Sequence, residues 1–332
     1  IESSKVFSKE LMKKYKIPTA DYRIFDSADA AISYIETADR FPVVLKADGL
    51  ALGKGVIIAE NFKEAWHGIH KIMTERIFGD SGNRIVIEEF LTGPEVSVLA
   101  FTDSKTLIPM VSSMDHKRAL DNDMGPNTGG MGTVAPNPFY TDAIAERCME
   151  EIFLPTMAAM NAEGRPFKGC LYFGLMLTKA GPKVIEYNCR FGDPEAQVVL
   201  PLLETDLFTI MEAVTKERLS EVSVIFRKDA ACCVVAASQG YPGNYETGIP
   251  INGLTSGQLE GVSVFHAGTG RTAEGLVTAG GRVLGVTGVG NTLKDAVNQA
   301  YAALKNIDFK GMHYRSDIGK KALLEIEKRS NL

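Results

Sequence analysis

Near the start of the chain, apolar residues recur every three or four positions, a spacing that places them on one face of an α-helix. Phe7, Leu11 and Tyr15 share such a face, in a helix that Ser3 or Ser4 is predicted to cap. Pro18 is expected to end this helix, because a proline cannot continue the hydrogen-bond ladder. A second helix is predicted to begin after Ser27, whose side chain can cap its free N–H groups. Both helices are therefore predicted to bury one apolar face.

A third helix is indicated by a capping box. Asn61 stands three positions before Glu64, so the two side chains can cap the start of a helix that is predicted to bury Trp66 and Ile69. Further along, residues 141–162 form a long helical stretch, in which a proline at position 155 predicts a kink or a break.

Short apolar runs rich in β-branched residues predict the strands. Two of them, 169–178 and 184–188, are expected to form a hairpin. Other strands are predicted at 43–45, 56–59, 84–87, 96–101 and 106–114.

From about residue 220 the pattern changes to short β-rich runs separated by Gly-rich turns, including one at 268–270. Two helices are predicted after them, opening near Thr292 and at Asp317. We therefore predict an α+β first region, 1–216, which includes a small lid lobe at about 18–90, and a β-rich C-terminal domain, 217–332.

Length and composition are those of an ordinary globular protein. A chain of 332 residues with 45% hydrophobic residues can form about two or three compact units. The net charge of −5 argues against non-specific nucleic-acid binding, because no basic excess neutralises phosphates. The five cysteines lack CxxC spacing, which favours reduced thiols in the cytoplasm and makes a zinc site improbable. No run predicts a membrane span or a secretory leader, and the start at Ile1 suggests that upstream residues have been left out.

The second strand of the predicted hairpin carries a polar face. Glu186, Asn188 and Arg190 alternate along it and therefore project together. A carboxylate and an amide oxygen suit Mg²⁺, and a guanidinium suits an oxyanion. A solvated surface strand is the alternative. Asp193 and Glu195, which follow directly in a tight turn, favour the metal and substrate edge of an active site.

Residues 48–55 form a Gly-rich loop that joins two strands. A Walker loop or a dinucleotide fingerprint would lead from a strand into a helix, so neither fits. The loop instead predicts a lid that closes over phosphates with its backbone N–H groups and Lys54, while Lys46 reaches an α- or β-phosphate. A mobile surface hairpin is the alternative for the loop, and a solvated lysine is the alternative for Lys46.

Two further segments indicate ligand contacts. The chain that leaves a strand at 88–91 can offer backbone groups to an adenine edge, with Glu95 placed for ribose hydroxyls; a plain loop is the alternative. Residues 115–118 and the Gly/Pro/Asn loop 125–132 combine cationic groups with free backbone amides, which fits phosphate and carboxylate.

These motifs resemble the glycinamide ribonucleotide synthetase family, also called phosphoribosylamine–glycine ligase, over essentially the whole chain. Leu52 stands where many members have alanine, and the family's additional N-terminal lobe is missing from this sequence. The segments that carry the resemblance are 46–56 (KADGLALGKGV), 87–91 (IEEFL), 115–118 (DHKR), 125–132 (GPNTGGMG) and 190–195 (RFGDPE).

The resemblance implies an ATP-grasp fold, in which two α+β lobes sandwich ATP, followed by a small β-rich domain. It also implies the reaction of ATP, glycine and 5-phosphoribosylamine to ADP, phosphate and glycinamide ribonucleotide, through a glycyl phosphate, in purine biosynthesis. The implied Mg²⁺ or Mn²⁺ ligands are Glu186 and Asn188. The implied ATP-binding residues are Lys46, Gly53, Lys54, Gly55, Glu88, Glu89, Phe90, Leu91, Glu95, Arg118 and Asn127. The implied catalytic residues are Lys117, Arg190 and Asp193, and those for glycine and phosphoribosylamine are Asp115, His116, Gly129, Gly130, Met131, Pro194 and Glu195.

Other functions remain open at this point. Another ATP-grasp carboxylate–amine ligase or a biotin-dependent carboxylase subunit shares the Glu-x-Asn-x-Arg face, although residues 191–195 and 128–132 speak against the carboxylase. Without the N-terminal lobe, we expect Mg·ATP binding to be retained and ligation to be weak, as in a nucleotide-binding fragment. Because the expected substrates are small molecules, we expect no nucleic-acid or membrane partner. The sequence fits a stand-alone enzyme and one segment of a longer multifunctional polypeptide equally well.

Overall fold

The computed structural model describes residues 1–50, 55–254 and 261–331. Its helices and strands are, in chain order, α1 (Lys5–Lys14), β1 (Tyr22–Phe25), α2 (Ala28–Ala38), β2 (Val43–Ala47), β3 (Val56–Ala59), α3 (Phe62–Ile69), β4 (Ile85–Glu89), β5 (Glu95–Thr102), β6 (Leu107–Pro109), β7 (Met114–Asp115), β8 (Arg118–Leu120), β9 (Met124–Asn127), β10 (Gly132–Ala135), α4 (Asp142–Cys148), α5 (Leu154–Ala162), β11 (Gly169–Thr178), β12 (Gly181–Asn188), α6 (Ala196–Val199), α7 (Leu207–Thr215), β13 (Ala230–Ala237), β14 (Val262–His266), β15 (Thr269–Thr272), β16 (Gly275–Thr278), β17 (Arg282–Gly290), α8 (Leu293–Leu304) and α9 (Lys320–Ser330).

Internal packing divides the chain into two compact units. The first consists of Ile1–Glu95 with Asp142–Arg190, and the second of Val96–Thr141 with Phe191–Leu332. The chain thus leaves the first unit, returns to it and leaves it again. These divisions fall at other positions than the predicted boundary near residue 217, which stays a prediction.

The first unit contains an antiparallel sheet in the order β1-β4-β2-β3. Helices α2 and α3 cover it, and their apolar faces bury Ile35 and Ile69 in one core with Leu45 and Ile87 of the strands. The predicted helix starts are confirmed. The side chains of Ser4, Ser27 and Asn61 accept hydrogen bonds from backbone N–H groups three residues later.

The predicted burial of Trp66 is wrong. Its side chain is 37% exposed and lies against the His70 ring, with 4.4 Å between ring centroids. Small residues on the buried face of α3 explain the difference, because a Cβ on Gly68 would lie 2.6 Å from Leu45 Cδ1. The helix packs too closely on the sheet there to admit a large ring, whereas Ile69 is buried as predicted.

The first unit also contains α1, a second helical stretch and a hairpin. A wider π-type turn at Met149–Phe153 lies between α4 and α5 and ends two residues before Pro155, where a kink or a break was predicted. The hairpin β11–β12 is antiparallel, as predicted, and its register shifts beside Leu175, where Ile185 is the extra residue. Beyond this bulge Tyr187 is buried, and its hydroxyl lies 2.9 Å from Thr156 Oγ1.

The second unit is built on an antiparallel sheet in the order β14-β17-β13-β10-β7. Helix α8 packs on this sheet, and its alanines and leucines share a core with the buried side chains of β13 and β17. Cys232 and Cys233 lie in β13, and burial raises the pKa of the Cys233 thiol to about 12. None of the five cysteines forms a disulfide bond.

Two predictions for the C-terminal part are wrong. Residues 269–272 form strand β15, which pairs with β16, so the turn of this hairpin lies at residues 273–274 rather than at 268–270. The last helix begins at Lys320 rather than Asp317, because the Asp317 carboxylate binds the Arg315 guanidinium and the Asn122 N–H instead of capping a helix. None of the described helices is long and apolar enough to cross a lipid bilayer.

Candidate active site

Strand β12 brings the predicted metal ligands together. Glu186 and Asn188 are two positions apart on the strand, and Arg190 follows its end and donates a hydrogen bond to Asn188 Oδ1 at 3.4 Å. Gly174 lies opposite Glu186, and a Cβ there would come within 3.2 Å of Glu186 Cγ. The glycine therefore leaves room for the Glu186 side chain. Arg190 Nε also donates to Glu2 Oε1 at 3.1 Å.

The donor set fits Mg²⁺. Glu186 and Asn188 offer hard oxygen ligands, and within the described ranges no group of three or more His, Cys, Asp or Glu side chains could hold a metal. Mg²⁺ is usually bound by one or two protein carboxylates, with water and substrate phosphates completing its shell. The site is therefore of the kind that binds the ion together with a phosphorylated substrate.

A buried ion cluster lies in the same unit. Lys46 Nζ is 3.0 Å from Glu88 Oε1 and donates to the carbonyl oxygen of Ile185 at 3.0 Å. Lys9 Nζ, from α1, is 2.9 Å from Glu88 Oε2. Each of these three ionic side chains is nearly inaccessible to water, so the Glu88 carboxylate is committed to two lysines. An adenine contact of Glu88 is thereby restricted to its main chain.

Lys9 and Lys5 were not predicted as site residues. Lys9 lies on the buried face of α1, and a charged residue at an apolar helical position is the signal that could have identified it. Lys5 stands in the first turn of α1 and donates to the Gly49 carbonyl at 3.0 Å. Burial lowers the pKa of Lys5, while Glu186 is the largest opposing influence. The structure thus adds two cations to the predicted Lys46.

The predicted adenine segment follows the end of β4. Phe90 and Leu91 lie outside the strand ladder, and the Phe90 ring is exposed. The Glu89 carboxylate binds Lys183 at 2.7 Å, and Glu95 is an exposed residue at the start of β5.

Only one residue of the predicted phosphate loop's glycine–lysine motif is described. The Gly55 carbonyl accepts a hydrogen bond from the Ala47 N–H at 2.9 Å, which extends the ladder between β2 and β3. Gly53 and Lys54, and with them the predicted closing of the loop, lie outside the described residues.

In the second unit, two predicted substrate loops are in contact. Gly130 adopts φ +115° and packs against the Pro194 ring, and a Cβ at Gly130 would also lie 2.7 Å from Asp115 Oδ1. Only glycine fits this backbone conformation and this close approach. Glu195 is buried beside Ser97, and the Asp193 side chain is exposed.

Arg282, which was not predicted as a site residue, binds both of these substrate loops. Its Nη1 donates to the carbonyl oxygens of Gly129 and Asp193, both at 2.8 Å, and its Nη2 lies 3.3 Å from Asp193 Oδ2. The Tyr241 hydroxyl accepts a hydrogen bond from the Gly129 N–H at 3.0 Å. Arg282 opens β17, far along the chain from both loops, so no local motif indicated it.

The hairpin β8–β9 pairs Arg118 with Asn127, two of the predicted ATP contacts. Arg118 Nη1 donates to the Gly125 carbonyl at 2.8 Å, and the Lys117 carbonyl accepts from the Thr128 N–H at 2.7 Å. These bonds fix the shape of the loop. Asn127 is exposed.

The structure argues against a substrate contact through the side chains of His116 and Met131. The His116 ring is buried; Nδ1 lies 3.2 Å from the Gly132 carbonyl, and Nε2 accepts from the Gly319 N–H at 3.4 Å. No ring nitrogen is left for a ligand. The Met131 side chain is fully buried.

The buried ring makes stability depend on pH. Burial, with the nearby Arg315 charge, lowers the pKa of His116 from its ordinary 6.5 to about 4. Between pH 6.5 and pH 4 the unfolded chain therefore binds a proton at His116 that the folded chain does not bind. The contribution of neutral His116 to the free energy of unfolding is fully present above pH 6.5 and is lost as the pH falls towards 4. We expect His116 to reduce the free energy of unfolding by about 2 kcal/mol between pH 7 and pH 5.

Denaturant unfolding of the wild type and of His116→Gln at both pH values measures this effect. Glutamine can donate and accept as the neutral ring does but does not titrate. The loss of stability between pH 7 and pH 5 should be smaller in the variant by about 2 kcal/mol. An equal loss in both proteins would show that His116 does not titrate as described.

Comparison with solved structures identifies the fold. The biotin carboxylase domain of a Hydrogenobacter thermophilus 2-oxoglutarate carboxylase, solved with MgADP and bicarbonate, gives a TM-score of 0.73 at 16% identity over 94% of this chain and 67% of that chain. A phosphoribosylamine–glycine ligase from Thermotoga maritima gives 0.88 at 35% identity over 96% and 78%. Fold and site together define an enzyme of the ATP-grasp class.

The family follows from the sequence comparisons. Residues 3–196 match the phosphoribosylglycinamide synthetase ATP-grasp (A) domain, and residues 231–321 match the C domain of the same family. The chain belongs to the phosphoribosylglycinamide synthetase family. This confirms the predicted resemblance and fold class, whereas the carboxylase alternative shares the fold alone.

Similar proteins occur as single enzymes and as parts of longer ones. A phosphoribosylamine–glycine ligase of Chlorobaculum tepidum is 48% identical over 97% of this chain and 76% of that protein. The trifunctional purine biosynthetic protein adenosine-3 of Gallus gallus is 48% identical over 97% of this chain and 32% of its own length.

Proposed function

We propose that this protein is an ATP-dependent ligase that joins glycine to 5-phosphoribosylamine and yields glycinamide ribonucleotide, ADP and phosphate, a step of purine biosynthesis. The observation that carries the proposal is that both parts of the chain match domains of one family. The matched ranges contain the buried lysines, the Glu186–Asn188 pair and Arg282. Relatives that are 48% identical are named for this ligation.

The chemistry needs positioning and charge neutralisation more than a covalent group on the protein. A carboxylate oxygen of glycine attacks the γ-phosphorus of ATP, and the bond to the β–γ bridging oxygen breaks to give glycyl phosphate and ADP. The amine of phosphoribosylamine then attacks the glycyl carbonyl carbon. Phosphate leaves, and the amine nitrogen loses a proton.

The first unit supplies the groups for the nucleotide. Lys46 and Lys5 are cations for its phosphates, and the main chain of Phe90 and Leu91 suits the adenine edge. Glu186 and Asn188 would hold Mg²⁺ or Mn²⁺, which neutralises phosphate charge when bound.

The second unit supplies the groups for glycine and the sugar. The Gly129–Gly130 backbone, held by Arg282, and the Asp193 and Lys117 side chains are the groups that we assign to this task. Glycine carries one carboxylate and one ammonium, and phosphoribosylamine carries a phosphate, so groups of both signs are required. Asp115 and Glu195 complete the acidic part of this set.

A substrate-omission assay tests the function. Purified protein with Mg·ATP should release ADP only when both glycine and freshly prepared phosphoribosylamine are present, and glycinamide ribonucleotide should form in equal amount. Bicarbonate with biotin replaces both substrates in a control reaction. ADP release that ignores glycine, or that follows bicarbonate and biotin, would contradict the proposal. Nucleotide binding without product would indicate the nucleotide-binding fragment.

A further inference from the structure

Lys9 is a buried cation for which the proposed reaction has no direct use. It projects from α1 with 2% of its surface exposed, and its Nζ lies 2.9 Å from Glu88 Oε2. The same ammonium donates to Thr19 Oγ1 at 2.7 Å and lies 5.7 Å from the centre of the Tyr22 ring. A lysine is rarely buried to this extent without a specific partner.

Its partner is shared with a lysine of the nucleotide site. Lys46 Nζ lies 3.0 Å from Glu88 Oε1 and donates a hydrogen bond to Oε2 at 3.1 Å, the oxygen that Lys9 also contacts, so the two lysines share one carboxylate. The three side chains carry one more positive than negative charge. Without Lys9, Lys46 and Glu88 would form a neutral pair, and the attraction between them would be strong because both are screened from water.

We propose that Lys9 is a positioning residue that keeps Lys46 available to the phosphates of ATP. Because Lys9 pairs with Glu88 Oε2, which also accepts a hydrogen bond from Lys46, the attraction of that carboxylate is divided between two ammonium groups. The Lys46 ammonium, which the Ile185 carbonyl also holds, then keeps a net positive field for an incoming phosphate. This inference rests on the proposed function, because it requires ATP at Lys46.

The titration of Lys9 gives a second readout. Burial lowers its pKa to about 8, although Glu88 acts in the opposite direction. As the pH rises through 8, Lys9 loses its proton and the cluster loses its surplus positive charge. ATP affinity should therefore weaken between pH 7 and pH 9. The charged or titratable groups around Lys9 are Glu88, Glu89, Lys46 and Tyr22.

Calorimetric titration with Mg·ATP, without glycine or phosphoribosylamine, tests the inference in the absence of turnover. Lys9→Met keeps the length of the side chain and removes its charge. We expect its dissociation constant for Mg·ATP to rise about tenfold. The kcat at saturating ATP should stay within about twofold of wild type, because the loss is in binding. Lys9→Arg should retain most of the affinity.

The double variant Lys9→Met/Glu88→Gln is the decisive one. It restores the surplus positive charge with a neutral partner for Lys46, so its affinity should return to within about threefold of wild type. Its pH dependence between 7 and 9 should be flatter than that of the wild type. Lys13→Met removes an exposed lysine from the same helix and should change neither quantity.

The outcomes separate the inference from the function. If Lys9→Met binds Mg·ATP as tightly as wild type, or if the double variant stays as weak as the single one, Lys9 does not act through Glu88. A wild-type protein that binds no Mg·ATP would overturn the proposed function and this inference together. Melting temperatures of all variants show whether they fold. If Lys9→Met does not fold, the affinities of Lys9→Arg and of the double variant decide whether Lys9 acts through Glu88.

Discussion

Glu186→Gln is expected to lower glycine-dependent turnover of ATP by about a thousandfold or more, with the fold intact. The carboxylate of Glu186 is the charged member of the pair proposed to hold Mg²⁺, and glutamine preserves its shape while removing that charge. The backbone pairing of Glu186 with Gly174 does not involve the side chain. The loss should therefore appear in metal and phosphate binding rather than in stability.

Two measurements examine this expectation. ADP release reports turnover, and the electron paramagnetic resonance of Mn²⁺ in the presence of ATP reports metal affinity without turnover. Glu151→Gln, which removes an exposed carboxylate paired with Arg147, is the control and should leave both unchanged. Unchanged Mn²⁺ affinity in Glu186→Gln would contradict the assignment. So would a nucleotide complex in which the Glu186 oxygens lie more than about 5 Å from the phosphates, since Mg²⁺–O distances are about 2.1 Å.

Local patterns predicted the elements that carry the site. Alternation along a strand placed Glu186, Asn188 and Arg190 on one side, and Arg190 does reach Asn188. The bulge at Ile185 could not be predicted, because it depends on the register of the partner strand. Helical spacing placed Trp66 on a buried face, but the packing distance that excludes it is set by Gly68 and Leu45.

The missed residues are those whose partners are distant in sequence. Lys9 contacts Glu88, and Arg282 contacts Gly129 and Asp193, so the local sequence shows the partners of neither, although the buried helical position of Lys9 was a signal. The predicted substrate contact of His116 stays a prediction, and the structure argues against one through the side chain. His116 was assigned with the charged residues beside it, although its ring is buried where it can bond only to backbone. Sequence patterns report local spacing, whereas these contacts depend on the tertiary fold.

Arg282→Met is expected to lower kcat about a hundredfold while the affinity for Mg·ATP stays unchanged. One guanidinium holds the carbonyl oxygens of Gly129 and Asp193 and also the Asp193 carboxylate. Methionine leaves these acceptors without their donor, and the two loops lose the bonds that fix their separation. A displacement of about 1 Å at reacting groups can cost about a hundredfold in rate. The residues affected are those proposed for glycine and the sugar rather than for ATP.

Steady-state kinetics with each substrate varied in turn, beside calorimetric titration with Mg·ATP, measure both parts of this expectation. Arg282→Lys should restore only a fraction of kcat, because a single ammonium cannot reproduce the forked geometry that serves two loops. Arg271→Met removes an exposed arginine of the same unit and should leave kcat unchanged. A normal kcat in Arg282→Met would show that the loops keep their positions without the guanidinium. A parallel fall in kcat, ATP affinity and melting temperature would instead reveal a general loss of structure, and Arg282 would then have no specific positioning role.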